Sequence, residues 1–360
     1  GPSLVIAGAG SGKTRTLIYR VAYLLDNGIR PSNILLLTFT NKAAREMLER
    51  VGELVPLDTR DLWGGTFHSI GNRILRRHAR EIGWEPGFTI MDREDQKELL
   101  AGTVEESGID TKAVRFPKPE VLGDLFSLAV NTGEAIEDIV HHRYPYFHHL
   151  VPQIESLQER YERKKRETNS MDFDDLLEKP LRLLRERKEL LELYQRQFEW
   201  ILVDEYQDTN LLQAEFIDLL AAPQNNVMVV GDDAQSIYSW RGADFRNILE
   251  FPDRYEGARK YVIETNYRSV PEILSLANAA IAPNTKQFRK NLAPARPDRQ
   301  VRPALAPLQD PVTQAAFVAQ RILELRDEGV ELNEIAVLYR AHFHAMEIQL
   351  ELTKRGIPFV

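Results

Sequence analysis

Ser3-Leu-Val-Ile-Ala-Gly-Ala-Gly-Ser-Gly-Lys-Thr14 is the stretch on which the fold turns. It opens as an apolar run of strand length, passes through a glycine-rich turn, and enters a helical pattern near Lys13. Glycines allow a tight backbone path whose N–H groups face phosphate oxygens, and the start of a helix adds a favourable dipole. On this reading Gly8, Ala9, Gly10, Ser11, Gly12, Lys13, Thr14 and Arg15 cradle a nucleotide. Lys13 reaches the β- and γ-phosphates and the Thr14 hydroxyl ligates Mg²⁺. The pattern departs from the usual one at Ala7, where glycine is normal; the position tolerates a small residue.

Working outward, residues 34–38, 200–203 and 227–230 are short runs rich in Val, Ile or Leu, each followed by polar or turn residues. Such runs read as strands buried on both faces, hence a parallel α/β sheet with its active edge at the strand C-termini. Asp204 and Glu205 stand just beyond one of them. Adjacent acids alone usually mean a solvated turn, but beside a phosphate loop they form the second half of an NTPase site. Asp204 would hold Mg²⁺ through water and Glu205 would polarise the attacking water. Residues 92–170 are charged and helical in pattern and read as an all-helical insertion. A proline-bearing stretch, 283–311, precedes a block in which residues 335–339 read as one more strand.

The bulk properties bound these readings. A chain of 360 residues, 43% hydrophobic and 28% charged, can bury two or three cores. With no cysteine, disulfides, iron–sulfur clusters and thiolate zinc sites are excluded, which fits a reducing compartment. No apolar run approaches bilayer length and no signal-peptide pattern opens the chain, so a cytoplasmic location and no membrane partner are expected. A formal charge of -8 argues against a polycation that coats nucleic acid, yet leaves room for one basic, aromatic-lined groove.

Further blocks appear in order: Thr38-Phe-Thr-Asn-Lys-Ala-Ala44, Gly65-Thr-Phe-His-Ser69, Met171-Asp-Phe-Asp-Asp-Leu176, Val203-Asp-Glu-Tyr-Gln-Asp208, Gly231-Asp-Asp-Ala-Gln-Ser-Ile-Tyr-Ser-Trp-Arg-Gly242 and Asn266-Tyr-Arg-Ser269. Together with the phosphate loop they resemble the UvrD/Rep/PcrA group of superfamily 1 DNA helicases along nearly the whole chain. That resemblance implies a RecA-like motor domain (1–91 and 171–261), a helical insertion (92–170) and the start of a second RecA-like domain (262–360). It implies ATP and Mg²⁺ as cofactors, 3′-to-5′ movement on single-stranded DNA, action at single-strand/duplex junctions, and protein partners drawn from repair or replication. Gln235 looks like the γ-phosphate sensor, Arg268 like the arginine that reaches the γ-phosphate from the second motor domain, and Tyr267 like the adenine-stacking tyrosine. Phe39, Asn41, His68 and Phe173 look like contacts to the single strand. Tyr238 and Trp240, two apart, would share one side of an extended segment and present stacking faces to bases. Arg241 would contact DNA or hold that platform through an acidic neighbour.

Two rival readings are a nucleotide-gated DNA-binding module without productive turnover and a P-loop small-molecule kinase; the latter has no reason to carry Tyr238 and Trp240. The histidines at 141, 142, 148 and 149 are expected in a solvated helix and loop rather than around a metal. Arg163-Lys-Lys-Arg166 reads as a solvated helix face, with a phosphate contact as the minority view. Only a dozen residues precede Lys13, and the family's later motor motifs do not follow by Val360. The expectation is therefore a chain that binds nucleotide and single-stranded DNA but unwinds duplex poorly.

Overall fold

The computed structural model describes residues 1–56, 58–110 and 115–360, apart from the side chain of Arg241. It divides into two compact units, residues 1–300 and 301–360. Ten strands are present among the described residues: β1 Ser3–Ala7, β2 Ile34–Thr38, β3 Trp63–Thr66, β4 Thr89–Ile90, β5 Ser170–Met171, β6 Trp200–Val203, β7 Val227–Gly231, β8 Arg259–Ile263, β9 Thr265–Asn266 and β10 Ala293–Pro294. Six form one sheet in the order β3-β2-β6-β7-β1-β8, with every pairing parallel. This is the parallel α/β sheet expected from the apolar runs, consistent with the RecA-like fold that the family resemblance implies. The sequence reading missed β3 and the edge strand β8, because Trp63-Gly-Gly-Thr66 and Arg259-Lys-Tyr-Val-Ile263 lack a continuous aliphatic run.

Alternation explains why the central strands are apolar throughout. Leu4, Ile6, Leu35, Leu37, Ile201 and Val203 face one core, which they share with helices α3 (Phe67–His78) and α4 (Asp175–Glu186). Their neighbours Val5, Ala7, Ile34, Leu36 and Leu202 face the other, against helices α1 (Lys13–Asp26) and α2 (Asn41–Leu54). Each such aliphatic side chain contributes about 1.5–3 kcal/mol on burial, so the sheet is fixed from both sides. The helices between Arg93 and Glu167 have a separate core, in which Leu122, Leu125, Ile139, Ile154 and Leu157 are buried. The short parallel pair β4–β5 brackets these helices.

In residues 301–360, Ala319, Ile322, Leu352 and Ile357 pack together between the helices Pro311–Asp327 and Ala345–Lys354. The strand expected at 335–339 is not formed. Ile335 and Val337 do point into that small core, as alternation requires, but no described strand pairs with the segment, and a strand without a ladder partner has nowhere to place its hydrogen bonds. The basic run at 163–166 also departs from expectation. Lys165 is 2% exposed and is enclosed by Glu162, Asp172 and Asp175 at 2.6, 3.0 and 2.8 Å. No helix among the described residues is long and apolar enough to cross a membrane.

Candidate functional site

The loop between β1 and α1 is closed by Ser11, whose N–H and hydroxyl both donate to the Gly8 carbonyl, at 3.2 and 2.6 Å. Gly10 and Gly12 hold φ of 75° and 94°, a left-handed backbone that a side chain would strain. The turn thus releases Lys13 and Thr14 at the first turn of α1, where free N–H groups gather. Lys13 is 7% exposed and its Nζ lies 3.2 Å from Oε2 of Glu205. The Thr14 hydroxyl donates to Oδ2 of Asp204 at 3.1 Å. The guanidinium of Arg15 lies over the Tyr19 ring, 5.2 Å from its centroid.

Asp204 and Glu205 leave the C-terminal end of β6, separated from β1 by β7. Burial, with the Glu205 carboxylate adding to it, pushes the Asp204 carboxyl up to about 6. Burial and Glu205 do the same to Asp208, also up to about 6. Glu205 adopts φ 49°, unusual for a residue with a side chain and worth about 1–3 kcal/mol of strain, the kind of cost that clusters at functional positions. A hydroxyl and a carboxylate converging under a glycine-rich loop form a hard oxygen donor set that fits a Mg²⁺ ion.

Asn266 donates through Nδ2 to the carbonyl of Ala9, and the Tyr267 N–H donates to that of Gly10 at 3.0 Å. A Cβ on Gly10 would meet the Cβ of Arg268, so Tyr267 and Arg268 sit directly on the phosphate loop. The Tyr267 ring is 62% exposed. Gln235 lies in a short turn after β7 and donates to Oδ2 of Asp232 at 2.5 Å. Lys290 holds the same turn from another direction, 2.7 Å from Asp232 and 3.2 Å from Asp233.

A second group lies along the same strand ends. Thr40 caps α2 by accepting from the Ala43 N–H, and Thr66 caps α3 by accepting from the Ser69 N–H, which sets Asn41 and His68 on the first turns of their helices. Phe39 stacks on Tyr238, with centroids 5.7 Å apart and planes 25° from parallel. His68 meets Phe173 edge-on at 6.2 Å, and burial lowers the His68 pKa from its ordinary value. Tyr238 and Trp240 do not lie on an extended segment: residues 239–241 form a 3₁₀ turn closed by the Gly242 N–H donating to Ser239, with Gly242 at φ 88°. The expected alternation therefore fails; Tyr238 packs on Phe39, whereas Trp240 remains 54% exposed. The side chain of Arg241 lies outside the described residues.

Residues 1–256 match the family model of the UvrD/REP helicase N-terminal domain, and residues 261–360 that of the UvrD-like helicase C-terminal domain. The chain belongs to the UvrD/Rep helicase family. Among its relatives are the proteins named ATP-dependent DNA helicase PcrA of Staphylococcus epidermidis and Staphylococcus aureus, each 39% identical over all 360 residues. The chain spans 48% of the length of each, about half of these curated UvrD/Rep relatives.

The sequence reading of this UvrD/Rep chain left out Gln207, Lys290 and Asn266 as individual site residues. Gln207 and Asn266 fall inside blocks already recognised as motifs, so a signal existed. Lys290 lies in an irregular stretch, and only the tertiary structure brings it to Asp232. Among the described residues no group of three or more His, Asp or Glu side chains could hold a metal; His141 meets His142 and His148 ring to ring, His142 also contacts the Asp138 carbonyl, and His148 lies 3.9 Å from Glu137.

Proposed function

We propose that this chain is the nucleotide- and DNA-gripping part of an ATP-dependent DNA helicase that moves 3′ to 5′ along single-stranded DNA. The observation that carries the reading is the convergence of Lys13, Thr14, Asp204 and Glu205 from two strand ends 190 residues apart in sequence. Lys13 would turn from Glu205 to the β- and γ-phosphates, and Glu205, so released, would accept a proton from the attacking water. Thr14 and Asp204 would hold Mg²⁺, which when bound neutralises charge on the phosphate oxygens. Arg268 would face the same phosphates and Tyr267 the base; their seat on the phosphate loop supports this. Gln235 would report the nucleotide state through the turn that contains it. Phe39, Asn41, His68, Phe173, Tyr238 and Trp240 would contact the strand, the exposed Trp240 ring giving one base a stacking surface. The name carried by the staphylococcal relatives supports a DNA substrate, and the family resemblance supports the polarity. The division into a motor domain, a helical insertion at 92–170 and a second domain from 262 is part of the same proposal.

The test is ATP hydrolysis with and without oligodeoxythymidylate. Single-stranded DNA should stimulate turnover in the parent chain, and Lys13→Ala should abolish hydrolysis while circular dichroism stays unchanged. Turnover indifferent to DNA would point to another P-loop activity. Unchanged turnover in Lys13→Ala would remove the phosphate loop from the mechanism. Strand displacement by the longest form of the protein, on duplexes tailed at 3′ or 5′, tests the polarity.

A further inference from the structure

Gln207 is 1% exposed and lies between the two groups of residues described above. Its Oε1 accepts the Asp232 N–H at 2.9 Å, which fixes the orientation of the amide: a backbone N–H needs an acceptor, so Nε2 faces the other way. There Nε2 donates to Oε2 of Glu205 at 3.0 Å and to Oδ2 of Asp208 at 3.1 Å. The Gln207 backbone carbonyl accepts the Ser236 hydroxyl at 3.2 Å. One side chain therefore grips the acid beside Lys13, and the same residue holds both ends of the turn that contains Gln235. Two residues beyond Ser236 the chain reaches Tyr238, stacked on Phe39.

We propose that Gln207 is a positioning residue that joins Glu205 to the Asp232–Ser236 turn, so that the state of the nucleotide pocket sets the position of the aromatic pair that meets DNA. The inference rests on the reading of Glu205 and Tyr238 given above. The same Glu205 carboxylate oxygen takes both the Lys13 ammonium and the Gln207 amide. When phosphates draw Lys13 away, the hydrogen bond from Gln207 becomes that oxygen's main support and tightens. Gln207 cannot move without dragging the Asp232 N–H or releasing it into a buried space, where an unpaired donor is costly. Buried polar chains of this kind have few alternative arrangements, which suits them to transmit a two-state change.

The experiment is a linkage measurement that needs no turnover. The Kd of a labelled oligodeoxythymidylate is measured with and without Mg²⁺ and a non-hydrolysable ATP analogue, and the ratio of the two values is the coupling factor. In the parent this factor should fall within about 5- to 150-fold, the usual range for linked sites. Gln207→Glu and the isosteric, apolar Gln207→Met should each bring it to within about twofold of unity. Each binary Kd should move less than the factor does, because Gln207 touches neither ligand. A factor unchanged in both variants overturns the proposal, as does a parent factor of one. If the parent binds neither ligand, the functional reading itself fails, an outcome distinct from intact binding with unaltered coupling. Should the substitutions at 207 not fold, as judged by thermal melting, Ser236→Ala decides: it severs the second tie at a half-buried hydroxyl, and a coupling factor equal to the parent's overturns the proposal.

Discussion

Asp204 has a buried carboxyl whose pKa rises from 3.8 to about 6 through loss of water and the nearness of Glu205. A raised folded-state pKa gives stability that is complete below the unfolded value and disappears as pH climbs through the folded one, so without metal the charge costs on the order of 3 kcal/mol at pH 8. Asp204→Asn keeps an acceptor for Thr14 and removes the charge. In EDTA it should raise Tm by several degrees at pH 8 and change it little near pH 4; equal effects at both values would mean that the carboxyl is not held under this stress. The placing of Lys13 and Thr14 at the start of a helix was legible from sequence because a local strand-turn-helix path alone delivers both. Gln207 was not, since its partners at 205, 232 and 236 are assembled only by strand order.

At the scale of elements, Lys165 on the helix Val151–Glu167 reaches Asp172, just before α4, and Asp175, the first residue of α4. Burial and the Asp172 charge push Asp175 up to about 7; in Asp172 burial acts the same way, but the Lys165 charge and hydrogen bond outweigh it and hold the carboxyl below its ordinary value. Lys165→Met should cost about 3–5 kcal/mol in urea unfolding, because it takes the cation from buried Asp172 and leaves Asp175 only Lys179, 3.3 Å away. A cost below 1 kcal/mol would show that water reaches the cluster. The turn at 239–241 makes a separate prediction. Trp240→Ala should weaken single-strand binding by about 1–3 kcal/mol, one base-aromatic stack, and leave nucleotide affinity without DNA unchanged; DNA affinity equal to the parent's would remove Trp240 from the platform. Its two-residue spacing from Tyr238 suggested an extended segment, and the Gly242 turn overrode that pattern. Residues 335–339 failed for the opposite reason: the local pattern suits a strand and the pairing partner is lacking among the described residues.

For the whole molecule, the segment 295–310 is exposed and without regular structure, at the boundary between the two compact units. Limited proteolysis should cut there first, and the fragment 1–300 should retain nucleotide and single-stranded DNA binding, because every candidate residue lies within it. Loss of both affinities on cleavage, with the fragment still folded, would show that residues 301–360 are needed for the grip. The sequence by itself determined the α/β class, the helical character of 92–170, the phosphate loop and the acidic strand end. Each depends on a hydrophobic period or on short-range backbone chemistry, which a linear string preserves. The tertiary structure alone decided the order β3-β2-β6-β7-β1-β8, the seat of Tyr267 and Arg268 on Gly10, the burial of Lys165, and the ties of Gln207 and Lys290 to Asp232. These depend on which distant segments become neighbours, and a parallel sheet makes neighbours of strands that are far apart in the chain.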